Sequence, residues 1–429
     1  MENIILTNAK LIDSNIVNLI INDGKIEKIT KTLKTSDKTT DKTINIKENI
    51  IIPGLIDTHV HFRDPGLTYK ETWKTGSQAA AHGGYTTVID MPNTNPQTNT
   101  KKAFIDKKQN AQKNSTVDFA LHAGVKTQKD VNEILPEKPA SYKIFMDLYD
   151  NNTLDEMFKY VSTTNKPLTL HCEDKTIVDH NIKTLKKDPA NSENMITYSY
   201  ARSAMAEAIA VNRAIELAQK YNNKIHICHL SCRETLELVH AAEDKIDITI
   251  EATPHHLFLD NNTYITYGSR AKTNPPLRDK AHNITINDLN EFDQIGTDHA
   301  PHTMEEKTQD TWNTMSGIPN LETTLKLLLT AVNMGNITLK DVVEKTSQNP
   351  AKIFNIPNKG AIQVGYDGDI TVIDMKAEGT INPETFYTKG KYTPFENMTY
   401  KGNNIMTINR GNIISENDEV YENQAKYVY

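Results

Sequence analysis

Residues 51–66 read Ile-Ile-Pro-Gly-Leu-Ile-Asp-Thr-His-Val-His-Phe-Arg-Asp-Pro-Gly, an apolar run that ends in two histidines, His59 and His61, spaced two apart. On a β-strand, side chains two apart share a face, so both imidazoles reach one metal ion while Val60 points away. The stretch reads as a buried strand that delivers half of a metal site.

From this first strand, 55–61, the chain continues in seven further short apolar runs: 85–91, 117–124, 141–146, 168–173, 225–230, 247–252 and 293–298. The intervals hold helical sequence, clearest over Ser203–Tyr221, where Ser203 is suited to cap a helix rich in Ala, Leu and Glu. Strands alternating with helices form a parallel sheet, and eight of them close a (β/α)8 TIM-like barrel of roughly 250 residues. The longest insertion, about 174–200, is expected to cover the barrel mouth. The two ends differ in character: runs at 3–8, 17–22 and 25–29, with an Asn22-Asp23-Gly24 hairpin turn, and runs within 360–375 and 397–414 read as short strands. These ends are expected to pair into one small domain.

The 429 residues carry a formal net charge of −7, which argues against a broad nucleic-acid footprint, since that needs concentrated basic charge. The basic run Lys101-Lys102 to Lys107-Lys108 reads instead as the solvated face of a helix. Three cysteines, Cys172, Cys228 and Cys232, form no Cys-x-x-Cys pair, so a disulfide framework and a cysteine zinc knuckle are both disfavoured and a reducing cytoplasm is expected. The N-terminus lacks the basic and apolar regions of a secretion signal, and no run approaches the roughly 18 apolar residues of a membrane span. A soluble protein is expected, with neither nucleic acid nor membrane as partner.

Chemistry enters where polar residues fall on the strands. Strand 1 ends in His59 and His61, strand 4 carries Lys143, strand 5 ends in His171, strand 6 in His229 and strand 8 in Asp298. Barrel active sites assemble at the C-terminal ends of strands, so these residues would meet. Four imidazoles and a carboxylate suit two divalent metals, zinc first, with an anionic group bridging them. Candidates for the bridge are Asp147, Asp150, or Lys143 once CO2 has converted its amine to a carbamate. Cys228 would face away from His229 in a regular strand and is expected to be a packed thiol. Glu251, at the end of strand 7, is expected to hydrogen-bond a metal-bound histidine.

The motifs Asp57-Thr-His-Val-His-Phe-Arg-Asp-Pro-Gly66, Met91-Pro-Asn-Thr94, Leu170-His-Cys-Glu-Asp174, Ile227-Cys-His-Leu230, Pro254-His-His-Leu257, Thr273-Asn-Pro-Pro-Leu-Arg278 and Thr297-Asp-His-Ala-Pro-His302 resemble those of the dihydroorotases, in the cyclic amidohydrolase superfamily. The resemblance runs from about residue 3 to 415. It implies a barrel over 53–355 and a small β-sandwich built from 1–52 and 356–429. It implies two zinc ions: His59, His61 and Asp298 on the first, His171 and His229 on the second, and carboxylated Lys143 bridging them, since Lys143-Ile-Phe-Met146 is similar to the family's lysine branch. It implies substrate contacts from His61, Arg63, Asn93, Asn274 and His302, and backbone contacts from Ser316 and Gly317. Arg63 suits a substrate carboxylate, because a guanidinium offers a fork of donors. Asn320 departs from the pattern, standing where the family has a glycine.

The activity implied is reversible hydrolysis of L-dihydroorotate to N-carbamoyl-L-aspartate, with a metal-bridging hydroxide as nucleophile and Asp298 as general acid and base. The partner is then a small-molecule substrate, and a homo-oligomer is compatible with this reading. The competing reading within the superfamily is a dihydropyrimidinase, hydantoinase or allantoinase. Arg63 with Asn93 speaks against it, since an uncharged ring gives a carboxylate-binding pair no purpose. A non-catalytic scaffold is disfavoured because every candidate ligand is present.

Overall fold

The computed structural model describes residues 3–34 and 42–429. Strands β1 (Ile4–Lys10), β2 (Ile16–Asn22), β3 (Lys25–Thr30), β4 (Lys42–Asn45) and β5 (Ile50–Pro53) lead into the central strands. The β2–β3 turn has Asp23 and Gly24 both at positive φ, the backbone that an Asp-Gly pair tolerates. The centre comprises β6 (Leu55–Val60), β7 (Tyr85–Asp90), β8 (Asp118–Leu121), β9 (Ala123–Gly124), β10 (Tyr142–Phe145), β11 (Leu168–His171), β12 (Ile225–Ile227), β13 (Ile248–Ala252) and β14 (Gln294–Ile295). Last come β15 (Ile370–Thr380), β16 (Thr399–Asn409), β17 (Asn412–Glu416) and β18 (Glu419–Val420).

The central strands pair in parallel in two runs, β6-β7-β8 and β9-β10-β11-β12-β13-β14. His122 interrupts the expected third strand, and the two runs meet there through Ala140 N–H to Leu121 O at 2.9 Å and Ala123 N–H to Ser141 O at 3.0 Å. At the other side, His61 N–H donates to His299 O at 2.8 Å, just past β14. This is a TIM-barrel type arrangement. Every residue of β6, β7, β8 and β11 is buried, which explains why these strands read as apolar runs rather than as alternating patterns. Leu55, Val88, Leu121, Ile144, Leu170, Ile227, Ile250 and Ile295 share one core with the surrounding helices.

Both chain ends enter one sheet of nine strands, in the order β18-β17-β16-β15-β5-β1-β2-β3 with β4 beside β1. The joint is β15 antiparallel to β5, pairing Ile370 with Pro53 and Ile373 with Ile50. Two parts of the C-terminal segment leave this sheet. Tyr427 bridges to Phe119 on β8, and Tyr392, between β15 and β16, reaches Gly317 O at 3.1 Å.

The helix Lys101–Asn114 corrects one expectation. Lys101 and Lys102 are exposed, but Lys107 is fully buried, with Nζ 2.5 Å from Asp90 and 2.7 Å from Met91 O. At helical periodicity Lys107 falls on the same inward face as Ala103, Phe104 and Ala111, so it belongs to the barrel and not to the solvated stripe. Among the described residues, no helix is long and apolar enough to cross a membrane.

Candidate active site

The strand ends bring the expected ligands into one pocket of about 480 Å³, whose walls include His59, His61, His171, His229 and Asp298. Asp298 Oδ1 lies 3.0 Å from His61 Nε2 and 3.4 Å from His59 Nε2. The other ring nitrogens are committed: His59 Nδ1–H donates to Glu251 Oε1 at 2.6 Å and His61 Nδ1–H to Asn93 Oδ1 at 2.7 Å. Each partner thereby selects the tautomer whose Nε2 lone pair faces Asp298. Burial holds His59 below the ordinary histidine range, and His61 well below it with help from Arg63, so both rings are neutral, the form that can ligate a metal. Burial has the opposite effect on the Asp298 carboxyl, which it raises.

Glu251 takes the place expected of it. Burial alone would raise its carboxyl, but His59 and His226 outweigh that and hold it well below the usual range. A side chain at Gly296 would put Cβ 2.2 Å from Glu251 Oε2, so this glycine makes room for the carboxylate.

The second pair is built from β11 and the turn after β12. His171 Nδ1 faces His229 Nε2 at 3.0 Å, and His171 Nε2–H donates to Glu173 Oε2 at 2.8 Å. The opposite nitrogen of His229, Nδ1, is buried without a hydrogen-bond partner. Burial and the neighbouring His171 keep His229 well below the histidine range. With Nε2–H given to Glu173, the His171 Nδ1 lone pair faces His229 Nε2, and the two nitrogens converge closely enough to hold one metal ion. His229 and Asp298 have φ of 37° and 47°, and Arg63 of 61°, a left-handed backbone that costs non-glycine residues energy and turns these side chains toward the mouth.

Lys143 is buried on β10, its Nζ 2.9 Å from Cys228 Sγ, and no carboxylate among the described residues lies within ion-pair distance of it. A buried ammonium without a counter-ion is costly, whereas a carbamate at that nitrogen would be an anion amid metal ligands. Cys228 is the packed, buried thiol expected, but not for the reason of strand alternation. β12 ends at Ile227, so strand alternation no longer governs Cys228, and its thiol, pushed up to about 12 by burial, points at Lys143. The alternative bridges already have partners, although Asp147 lines the pocket 3.8 Å from His171 Nε2. Asp147 accepts from Arg202 Nη2 at 2.7 Å, and Asp150 caps the helix Asn151–Val161 by accepting from Thr153 N–H.

The remaining expected residues line the same pocket. Arg63 Nη2 lies 3.1 Å from His302 Nε2, which is 3.0 Å from Ser316 O, while Arg63 Nε is buried without a partner. Asp64 is not its ion-pair partner, since that side chain accepts from Asn110 Nδ2 and Trp73 N–H. Asn93, Asn274, Ser316 and Gly317 line the same space. Asn320 needs no left-handed backbone; its Nδ2 donates to Thr297 O at 2.8 Å and lies 3.1 Å from His255 Nδ1.

Sequence reasoning did not assign Glu173, Arg202 or Tyr198. Burial would raise the Glu173 carboxyl, but Arg202 and His171 outweigh it and hold Glu173 down to about 2. The guanidinium of Arg202 bonds both Glu173 oxygens and Asp147, filling the space between those acids that a cation would take. Glu173 could have been suspected from its place two residues after His171; nothing in the spacing marks Arg202 or Tyr198.

Residues 50–414 match the amidohydrolase family. A protein named dihydroorotase from Methanosphaera stadtmanae is 67% identical over 429 residues, covering all of both chains. A dihydroorotase from Methanothermobacter thermautotrophicus is 42% identical, over 100% of this chain and 97% of that one. Among solved structures, an L-hydantoinase (dihydropyrimidinase) from Arthrobacter aurescens superposes with a TM-score of 0.93 at 30% identity over 100% of both chains. A dihydropyrimidinase from Brevibacillus agri superposes with a TM-score of 0.90 at 25% identity, over 99% and 98%.

Proposed function

The chain belongs to the amidohydrolase family and catalyses the dihydroorotase reaction of pyrimidine biosynthesis, and we propose that the residues gathered at the barrel mouth carry it out in the following roles. The reaction interconverts L-dihydroorotate and N-carbamoyl-L-aspartate by opening and closing a cyclic amide.

The observation that carries the substrate reading is Arg63 with His302 in the same pocket as the His and Asp cluster. The Arg63 guanidinium binds the substrate carboxylate, with Asn93 and His302 beside it, while Asn274, Ser316 and Gly317 hold the ring. This directs the amide at Asp298. With its carboxyl raised by burial, Asp298 takes the proton of the attacking water and delivers it to the leaving amide nitrogen, and reverses both transfers in ring closure. His59, His61 and Asp298 would hold one zinc ion and His171 and His229 a second, with carboxylated Lys143 between them; bound there, zinc supplies acidified water and a polarised carbonyl. Glu251, Asn93 and Glu173 orient three of the imidazoles. We read the two strand runs as one closed eight-stranded barrel flanked by a domain from 1–52 and 356–429, and the enzyme as cytoplasmic, where its three free thiols are at home.

The hydantoinase likeness supplies the second reading, since those proteins share this fold. Arg63→Met separates the two. Steady-state kinetics on dihydroorotate should show KM raised about a hundredfold, as expected for a lost charged contact, with zinc content unchanged. Chelation should abolish ring closure of N-carbamoyl-L-aspartate and zinc with bicarbonate restore it. An unchanged KM in the Arg63 variant would favour the hydantoinase reading; bound zinc without ring closure would do the same.

A further inference from the structure

Tyr198 lies on the short helix Met195–Ala201, inside the insertion that reaches the barrel mouth. It is buried, and its hydroxyl is 2.5 Å from Asn274 Oδ1 and 3.2 Å from Ser316 Oγ. Its ring rests on the Lys272 ammonium, 4.0 Å from the centroid, and that ammonium donates to Thr311 O and Thr314 O at 2.9 and 2.7 Å. The phenol is thus held by groups from two segments of the chain, 272–274 and 311–316. Asn274 lines the substrate pocket, and its Nδ2 makes no hydrogen bond among the described residues.

A carboxamide has two nearly isosteric orientations, one presenting two N–H donors to the pocket and the other a carbonyl oxygen. We propose that Tyr198 is a positioning residue for substrate recognition: by donating its hydroxyl to Asn274 Oδ1, it turns Nδ2 toward the pocket as donor to a carbonyl oxygen of the cyclic amide. Ser316 Oγ–H donates to the Tyr198 oxygen, so Ser316, Tyr198 and Asn274 form one directed chain of hydrogen bonds. The ring of dihydroorotate and the ureido group of N-carbamoyl-L-aspartate both offer carbonyl oxygens, and a flipped Asn274 would set oxygen against oxygen in either. The assignment rests on the dihydroorotase reading for the identity of the ring.

Tyr198→Phe removes only the hydroxyl. KM for L-dihydroorotate should rise about tenfold, the value of one net hydrogen bond at a buried site, with kcat within about twofold and zinc content unchanged. In an Asn274→Ala background the same substitution should add nothing, because the amide it orients is gone. A KM within twofold of wild type, or effects that multiply in the double variant, would overturn the assignment. If Tyr198→Phe does not fold, Tyr198→Met, a smaller but flexible apolar side chain, also removes the hydroxyl and is judged by the same outcomes. If the wild-type enzyme opens hydantoin or dihydrouracil but not dihydroorotate, the dihydroorotase reading fails, and the same variants measured on that ring still decide the role of Tyr198.

Discussion

The ionisable groups of the pocket do different work according to what each touches. Asp298 alone combines a carboxyl raised by burial with closeness to both His59 and His61. Asp298→Asn should lower kcat by about three orders of magnitude, the middle of the range for a lost general base, while keeping most of the zinc; near-normal turnover would remove Asp298 from proton transfer. His256 stands in the motif Pro254-His-His-Leu257 yet holds no metal position, because both ring nitrogens are committed, Nδ1 to Thr253 Oγ1 at 2.7 Å and Nε2 to Pro275 O at 3.2 Å. Burial lowers it to about 4 from an ordinary 6.5. The folded state therefore binds the proton more weakly than the unfolded chain, so the stability tied to neutral His256 is present above pH 6.5 and is lost as pH falls toward 4. At about 1.4 kcal/mol per unit this amounts to about 3 kcal/mol. Unfolding titrations at pH 7 and pH 4 should show His256→Gln losing about that much less than wild type over the interval; equal losses would refute the assignment. This was opaque in the sequence, where a histidine that packs and one that ligates look the same.

Loops here are shaped by buried cations. In the short helix Met304–Lys307, the Lys307 ammonium donates to Lys272 O, Met315 O and Gly317 O at 2.9–3.1 Å, closing the 303–317 segment behind His302 and Ser316. Lys307→Met would leave three carbonyls without that donor. It should cost about 3 kcal/mol in denaturant unfolding, roughly 1 kcal/mol for each bond, and raise KM through displaced Ser316 and Gly317. Proteolysis should then cut first within 303–317; cleavage elsewhere would count against this anchor. The strands themselves were legible, since all eight expected runs contain one, but the expected ends were generous. β12 stops at Ile227 and β14 at Ile295, so Cys228, His229 and Asp298 lie beyond the strand ends, where period-two reasoning fails.

Across the whole molecule, the barrel and the terminal sheet are tied by buried charge. Lys359 Nζ lies 2.8 Å from Asp118 on β8 and 2.5 Å from Asp369 beside β15, and Arg410 Nε bonds the same Asp118 at 3.0 Å. Lys359→Met would strand carboxylates in the interior, and breaking such a pair costs about 3–5 kcal/mol. Thermal melting should show that loss while kcat of the folded enzyme stays near wild type, since the network lies away from the pocket; an unchanged melting temperature would show that the network carries no net stability. Sequence alone determined the run of strands and helices, the joining of both ends, and which residue types stand at each strand end. The strands, helices and strand-end residue types follow from local periodicity and from turn and capping chemistry, written within a few residues, and the joining of the ends from their shared short-strand character. Only the tertiary structure decided which nitrogen of each imidazole faces inward, that Cys228 meets Lys143, that Asp147 belongs to Arg202, and that Tyr198 reaches Asn274. Those contacts join groups dozens to hundreds of residues apart, and their directions depend on left-handed turns and on burial that no local pattern encodes.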